Sequence, residues 1–176
     1  IREILKELSF GGKLEVGTEV SLNVSNLNSK LKYFYLWFSN GELVKTSIEK
    51  KYLLQPGDLG AQISASLCAY QGTEILGCKS KTLENPIQAG KLKAITAKIT
   101  PPSKNSKTLT ASKPTTESGV SLTFEWLRDG VAIDGETSST YTLTNSDKGH
   151  KISLRVTAAK TGYQTLVAVS PEKAYN

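Results

Sequence analysis

Residues of the same type recur at a fixed separation of 89 positions along this 176-residue chain. Trp37 is matched by Trp126, Gly41 by Gly130, Tyr52 by Tyr141, Leu54 by Leu143 and Asp58 by Asp147. Gly60 and Gly149, Ile63 and Ile152, Ser64 and Ser153, and Ala69 and Ala158 follow in the same frame, and no gap is needed from Trp37 to Ala69. The similar pairs Phe10/Ile99, Tyr35/Phe124, Phe38/Leu127, Val44/Ile133 and Leu67/Val156 keep that frame too. A period of this kind means one supersecondary unit used twice. The copies span roughly residues 7–83 and 95–174, which divides the chain into a first domain (1–83), a connector (84–94) and a second domain (95–176).

Within each copy the apolar residues alternate with period two. Leu122, Phe124 and Trp126 share one face while Thr123 and Glu125 take the other. Ile152, Leu154, Val156 and Ala158 alternate in the same way with Ser153, Arg155 and Thr157. Such alternation predicts strands buried on one face. Turn residues punctuate the runs at Asp129-Gly130, Asp134-Gly135, Lys148-Gly149 and Thr161-Gly162. Short strands separated by frequent turns predict an all-β fold of two tandem antiparallel sandwiches. A helix-like spacing at Ile1, Ile4, Leu5 and Leu8 is short and uncapped, so a strand or frayed terminus is expected there.

From Phe124 the second copy reads FEWLRDGVAIDGETSSTYTLTNSDKGHKISLRVTAAKTGY. This resembles the immunoglobulin-like tandem repeats of bacterial surface and secreted proteins. Their pattern is an aromatic-x-Trp strand, a charged-Gly turn, Tyr-x-Leu, three residues, Asp-x-Gly-x-x-Ile, a Val strand and a Gly-Tyr hairpin. The second copy carries it at Trp126, Gly130, Gly135, Tyr141, Leu143, Asp147, Gly149, Ile152, Val156, Gly162 and Tyr163. The first keeps Trp37, Gly41, Tyr52, Leu54, Asp58, Gly60 and Ile63 but lacks the Gly-Tyr ending. The resemblance implies immunoglobulin-like sandwiches serving as stalks, spacers or adhesive modules outside a bacterial cell. The residue chemistry agrees with a structural role for Trp37, Tyr52, Asp58 and Gly60, and for Trp126, Tyr141, Asp147 and Gly149. A Trp fills the space between two sheets, and Asp-x-Gly suits a tight corner before a buried strand. The positions facing the Trp are Leu67 and Val156, so apolar packing is expected in place of an inter-sheet disulfide.

The two cysteines, Cys68 and Cys78, flank a short loop at Gly72-Thr73-Glu74. A hairpin that pairs them also pairs Ser66 with Ser80 and Tyr70 with Leu76. Cys68 has the opposite parity to Ile63, Ala65 and Leu67, so an exposed cross-strand disulfide is expected, which suits an oxidising compartment. A reactive redox pair is the alternative, with no C-x-x-C spacing to support it. The corresponding residues of the second copy are Thr157 and Val167.

The copies differ most at residues 33–38, YFYLWF. With Tyr33, Tyr35 and Trp37 turned to the core, Phe34 and Leu36 face outward, where the second copy has Thr123 and Glu125. Together with Tyr70 and Leu76 they form a candidate partner surface. Cover by a neighbouring domain, or by Ile1, Ile4 and Leu5, is one reading and an external partner the other. The positive charge is also local. Lys91, Lys93, Lys98, Lys104, Lys107 and Lys113 lie between Asn85 and Thr116 with no acidic residue among them. The remaining sixteen basic residues match the sixteen acidic ones, so this stretch carries the whole net charge of +6. Lysines that guard an exposed sheet edge are the preferred reading, and an anion-facing stripe toward cell-wall polymer or acidic glycan the other.

The rest is exclusion. One His and two Cys leave little for a metal centre or a His-based triad. There is no nucleophile motif or phosphate loop. His150 is expected to be solvated, and Asn23-Val24-Ser25 matches a glycosylation acceptor. The expectation is a non-enzymatic spacer without cofactor, nucleic acid or membrane insertion. Its partners would be the flanking domains of its own polypeptide and, in an adhesive role, cell-wall polymer, glycan or host matrix protein. The lack of any Met, even at position 1, reads as the mark of a piece of a longer product.

Overall fold

The computed structural model describes residues 7–175. The chain divides into two compact units, Ile1–Lys91 and Leu92–Asn176. The first contains β1 (Leu8–Gly12), β2 (Glu19–Val24), β3 (Lys32–Ser39), β4 (Glu42–Ser47), β5 (Lys51–Leu53), β6 (Ile63–Gln71) and β7 (Glu74–Thr82). The second repeats the order with β8 (Lys98–Thr100), β9 (Thr108–Ser112), β10 (Ser121–Arg128), β11 (Val131–Ala132), β12 (Thr140–Thr142), β13 (Lys151–Ala159) and β14 (Leu166–Val169). A two-residue β15 (Lys173–Ala174) closes it. Sheets run β1-β2-β5 and β4-β3-β6-β7 in the first unit, and β8-β9-β12 and β11-β10-β13-β14 in the second, with β15 also on β13. All these strand pairs are antiparallel. Splitting the strands this way between two facing sheets is the immunoglobulin-like sandwich.

Local sequence explains the main turns. Asn40-Gly41 and Asp129-Gly130 join β3 to β4 and β10 to β11 with two residues, all four at positive φ (49°, 86°, 49° and 80°). That is a type I′ hairpin, whose twist suits paired strands and which Asn-Gly and Asp-Gly adopt readily.

The core of each unit forms where the inward residues of both sheets meet. In the second unit Ile99, Leu109, Ala111 and Tyr141 from one sheet pack with Trp126, Ile152, Leu154 and Val156 from the other. In the first, Trp37 is fully buried, stacks on Tyr52 at 5.5 Å between ring centroids and touches Phe10 at 6.2 Å. Trp126 and Tyr141 stack at 5.6 Å in the same way. Leu67 and Val156 are buried opposite Tyr35 and Phe124.

Each unit also buries one carboxylate beneath a single 3-10 turn, Pro56–Asp58 or Asn145–Asp147. Asp58 is 3% exposed and its Oδ2 accepts from the Tyr52 hydroxyl (2.9 Å) and the Gln55 amide (2.8 Å). Asp147 is 1% exposed and accepts from the Tyr141 hydroxyl (2.9 Å), the Thr144 amide (2.7 Å) and the Thr144 hydroxyl (2.9 Å) on the same atom. Burial and the neighbouring Asp58 push the Tyr52 hydroxyl far above its ordinary value, so it stays a donor. Gly60 and Gly149 follow at φ of 75° and 77°. Their amides donate to Ile87 and Tyr175 carbonyls, which tie the ends of each unit down. Left-handed φ is easy for Gly and strained for other residues.

The division falls between Lys91 and Leu92, so residues 84–91 group with the first unit and not with a connector at 84–94. Ile87 is buried, its amide donates to Ala61, and Gln88 donates to Leu14 at 2.7 Å and bridges Glu15 in parallel. This segment closes the first unit as Lys173–Tyr175 closes the second. At the other end, Ile1, Ile4 and Leu5 lie outside the described residues, and Leu8 opens β1 as a buried strand residue.

Among the described residues, removing the Tyr52 hydroxyl leaves Asp58 one donor, the Gln55 amide, whereas Asp147 without Tyr141 keeps Thr144 and Arg128. Tyr52→Phe should therefore cost about 1–3 kcal/mol of stability and Tyr141→Phe less. Urea unfolding followed by tryptophan fluorescence checks the order; equal or reversed losses would contradict it.

Candidate functional site

The sheet face of the first unit turned away from its core differs most from that of the second. Phe34 lies opposite Cys68, Leu36 opposite Ser66 and Phe38 opposite Ser64 on β6. On β7, Cys78 pairs with Cys68 and Ser80 with Ser66, and the two serine hydroxyls lie 2.6 Å apart. Phe34, Leu36 and Tyr70 are half-buried, and the Phe34 and Tyr70 rings touch at 5.9 Å. The second unit has Thr123 opposite Thr157 and Glu125 opposite Arg155 at these places. Glu125 and Arg155 form an ion pair there. The same scaffold thus presents an apolar, aromatic face in one unit and a charged one in the other.

Two expectations about this face need correction. Cys68 and Cys78 are disulfide-bonded across the β6–β7 hairpin. The bond is not an exposed staple, because Cys68 is fully buried and only Cys78 is exposed. Parity does turn Cys68 off the core, onto the face where Phe34 pairs opposite it and the Phe34 and Tyr70 rings touch. Tyr70 pairs with Ile75 and not with Leu76, because the register shifts between Ala69 and Tyr70. The bulge leaves Leu76 without a counterpart on β6 and turns out Ile75, which is 60% exposed. Thr157 and Val167 pair at the register position that the cystine takes in the first unit.

The six lysines are all exposed. Lys91 belongs to the first unit, where its ammonium lies 3.5 Å from Glu15. The other five belong to the second. Lys98 sits on β8, the outer strand of its sheet. Lys93 donates its amide to Glu117, and the Lys107 carbonyl accepts from Leu143. Lys104 lies in the turn before β9, and Lys113 follows that strand. His150 is exposed with Nδ1 2.6 Å from Asp129. Among the described residues no three His, Cys, Asp or Glu side chains gather as a metal-binding set, and no helix is long and apolar enough to cross a membrane.

One functional contact had no counterpart in the sequence reading. Arg128, at the end of β10, donates from Nε (2.8 Å) and Nη2 (2.6 Å) to Asp147 Oδ1. Its Nη2 also reaches the Tyr141 hydroxyl at 3.4 Å. The available signal was parity: Arg128 lies two residues beyond Trp126, on its inward side. The position in the first unit is Ser39. There Ser39, Asn40, Glu42, Tyr52, Gln55 and Asp58 are among the residues lining an open recess of about 570 Å³.

Burial acts to raise the Asp147 carboxyl, but the Thr144 amide, the Arg128 guanidinium and the Tyr141 and Thr144 hydroxyls outweigh it and hold it below 3.8. Because the folded value is depressed, this stabilisation is present above the unfolded value and is lost as pH falls through the folded one.

No family model matches the chain, and no curated protein matches it in sequence. Among solved structures it is similar to the two fibronectin type-III domain segment from chicken tenascin, at 15% identity and a TM-score of 0.41, covering 96% of this chain and 99% of that one. It is also similar to the FN1–FN3 domains of chicken CNTN1, at 12% identity and a TM-score of 0.36, covering 94% and 64%. The fold assignment rests on the strand order and the two cores described above.

Acid titration should show the second unit losing stability below about pH 4, with Asp147→Asn removing that part of the pH dependence. An unchanged profile in the variant would contradict the assignment. Reducing the Cys68–Cys78 bond, which spans a sequence separation of 10, should cost the first unit about 2–3 kcal/mol and leave the second unchanged. Differential scanning calorimetry with and without reductant reads both.

Proposed function

We propose that this chain is a non-enzymatic spacer segment, two immunoglobulin-like modules in series, of a bacterial surface or secreted protein. The observation that carries it is the completeness of each unit. Both have their own Trp-centred core, their own buried Tyr–Asp corner and their own closing segment. A module that buries its apolar residues by itself can be repeated along a polypeptide without depending on its neighbour. The two carboxylates that would be candidates for hydrolysis, Asp58 and Asp147, accept hydrogen bonds that hold the corners together. A disulfide in one module is in keeping with an oxidising compartment.

A second reading has support of its own. Phe34, Leu36 and Tyr70 make an aromatic surface with no parallel in the charged face of the second unit. An adhesive module for glycan or matrix protein would use such a face, with the lysines as an accessory for anionic polymers.

One experiment separates the readings. The segment is exchanged within its parent protein for an unrelated pair of sandwiches of equal length, and Phe34→Glu/Leu36→Glu is made in parallel. A spacer predicts that the exchange preserves the parent's activity at the cell surface and that the double variant has no effect on it. Loss of attachment to glycan or matrix in both would overturn the spacer reading in favour of the adhesive one.

A further inference from the structure

The two units differ in how the buried carboxylate is partnered. In the second unit Asp147 Oδ2 takes the corner hydrogen bonds, and Oδ1 takes two from the guanidinium of Arg128 and one from the Tyr141 hydroxyl at 3.0 Å. In the first unit the Tyr52 hydroxyl and the Gln55 amide both end on Asp58 Oδ2, and among the described residues nothing donates to Oδ1. Asp58 is 3% exposed, yet it lines the recess beside Ser39. Four of the residues lining that recess hold the repeat positions of Arg128 and the Asp147 corner: Ser39 that of Arg128, Tyr52 that of Tyr141, Gln55 that of Thr144 and Asp58 that of Asp147. Glu42 adds a second carboxylate at the rim, where the second unit has Val131.

We propose that the Ser39–Asp58 recess of the first unit is a docking site for an arginine side chain of a partner protein, which takes the place Arg128 occupies in the second unit. The guanidinium donates two N–H groups to Asp58 Oδ1 in the manner of Arg128. A planar fork fits a partly buried carboxylate better than an ammonium does, because it supplies several donors in fixed directions. Glu42 steers the cation in and pairs with its outer edge. Among the described residues the arginines, Arg128 and Arg155, are already engaged with Asp147 and Glu125 in their own unit, so neither is the occupant. The inference does not depend on the spacer reading, since a spacer and an adhesive module can each carry a docking point.

The test uses the oxidised, isotope-labelled full chain titrated with N-acetyl-arginine amide up to about 50 mM, a range suited to millimolar affinity. N-acetyl-citrulline amide, uncharged but of the same shape, and N-acetyl-lysine amide are the comparisons. The expected result is saturable movement of the Gln55, Gly57 and Asp58 amide resonances with the arginine reagent, and about tenfold weaker response to citrulline. Ser39→Arg should fill the recess from within, abolish that response and raise the melting temperature of the first unit. Arg128→Ser should create the same response at Thr144 and Asp147. The proposal is overturned if nothing saturates, if citrulline binds equally well, or if the Ser39→Arg chain responds unchanged while folded.

Discussion

A carboxylate taken out of water in the 3-10 turn after β5 or β12, Asp58 or Asp147, organises a corner of its unit. Burying a charge costs several kcal/mol unless donors replace the lost hydration. Here the replacement comes from the fold itself. A tyrosine six residues earlier reaches back with its hydroxyl, and the backbone amide three residues earlier points at the same oxygen. The Tyr ring lies on the core Trp at 5.5–5.6 Å, so the polar corner and the apolar centre share one side chain. Displacing either would expose the other. The glycine two residues on then takes a left-handed conformation and donates its amide to the closing segment. Core, corner and closure are therefore coupled in both units.

That common frame leaves other positions free to diverge. The segment after the type I′ hairpin is one such place. In the first unit it runs on as β4 and pairs with β3 from Ser39 back to Tyr35. In the second β11 has two residues, the chain beyond it stays bonded to the Trp126 backbone through Ile133 and Glu136, and the Trp126 indole nitrogen donates to the Ser138 carbonyl at 2.9 Å. Trp37, under the extended β4, has no such acceptor among the described residues. A longer sheet edge thus comes with an unpaired indole N–H in a structure where both rings pack alike.

The outer faces follow the same logic. Nothing in the core requires Phe34, Leu36 and a cystine in the first unit or Thr123, Glu125 and an Arg155 ion pair in the second. These side chains sit on strands already held by inward neighbours, so they can serve whatever surface each module presents. The Arg128/Ser39 difference is a third case, on the rim between core and solvent. One unit neutralises its buried carboxylate internally, and the other leaves one oxygen of it facing a recess.

The repeat, the period-two alternation and the Asp-Gly turns are local properties of the chain, and they were enough to read two antiparallel sandwiches and a structural role for Trp37, Tyr52, Asp58, Trp126, Tyr141 and Asp147. Cys68 with Cys78 was also legible, because a tight hairpin leaves few registers. Other features depended on contacts across the fold. The bulge that pairs Tyr70 with Ile75 follows from how β7 fits β6, which index sums along a hairpin do not encode. Cys68 is fully buried although its parity points outward, and the residue opposite it, Phe34, belongs to a strand distant in sequence. The stretch 84–94 between the two copies read as a connector, and the hydrogen bonds of Ile87 and Gln88 to Leu14, Val16, Gly60 and Ala61 make residues 84–91 part of the first unit. Arg128 had no motif around it, and its role exists only where β10 ends beside the Asp147 corner. Patterning along a strand reports which face is buried; what lies across that face is set by strands distant in sequence.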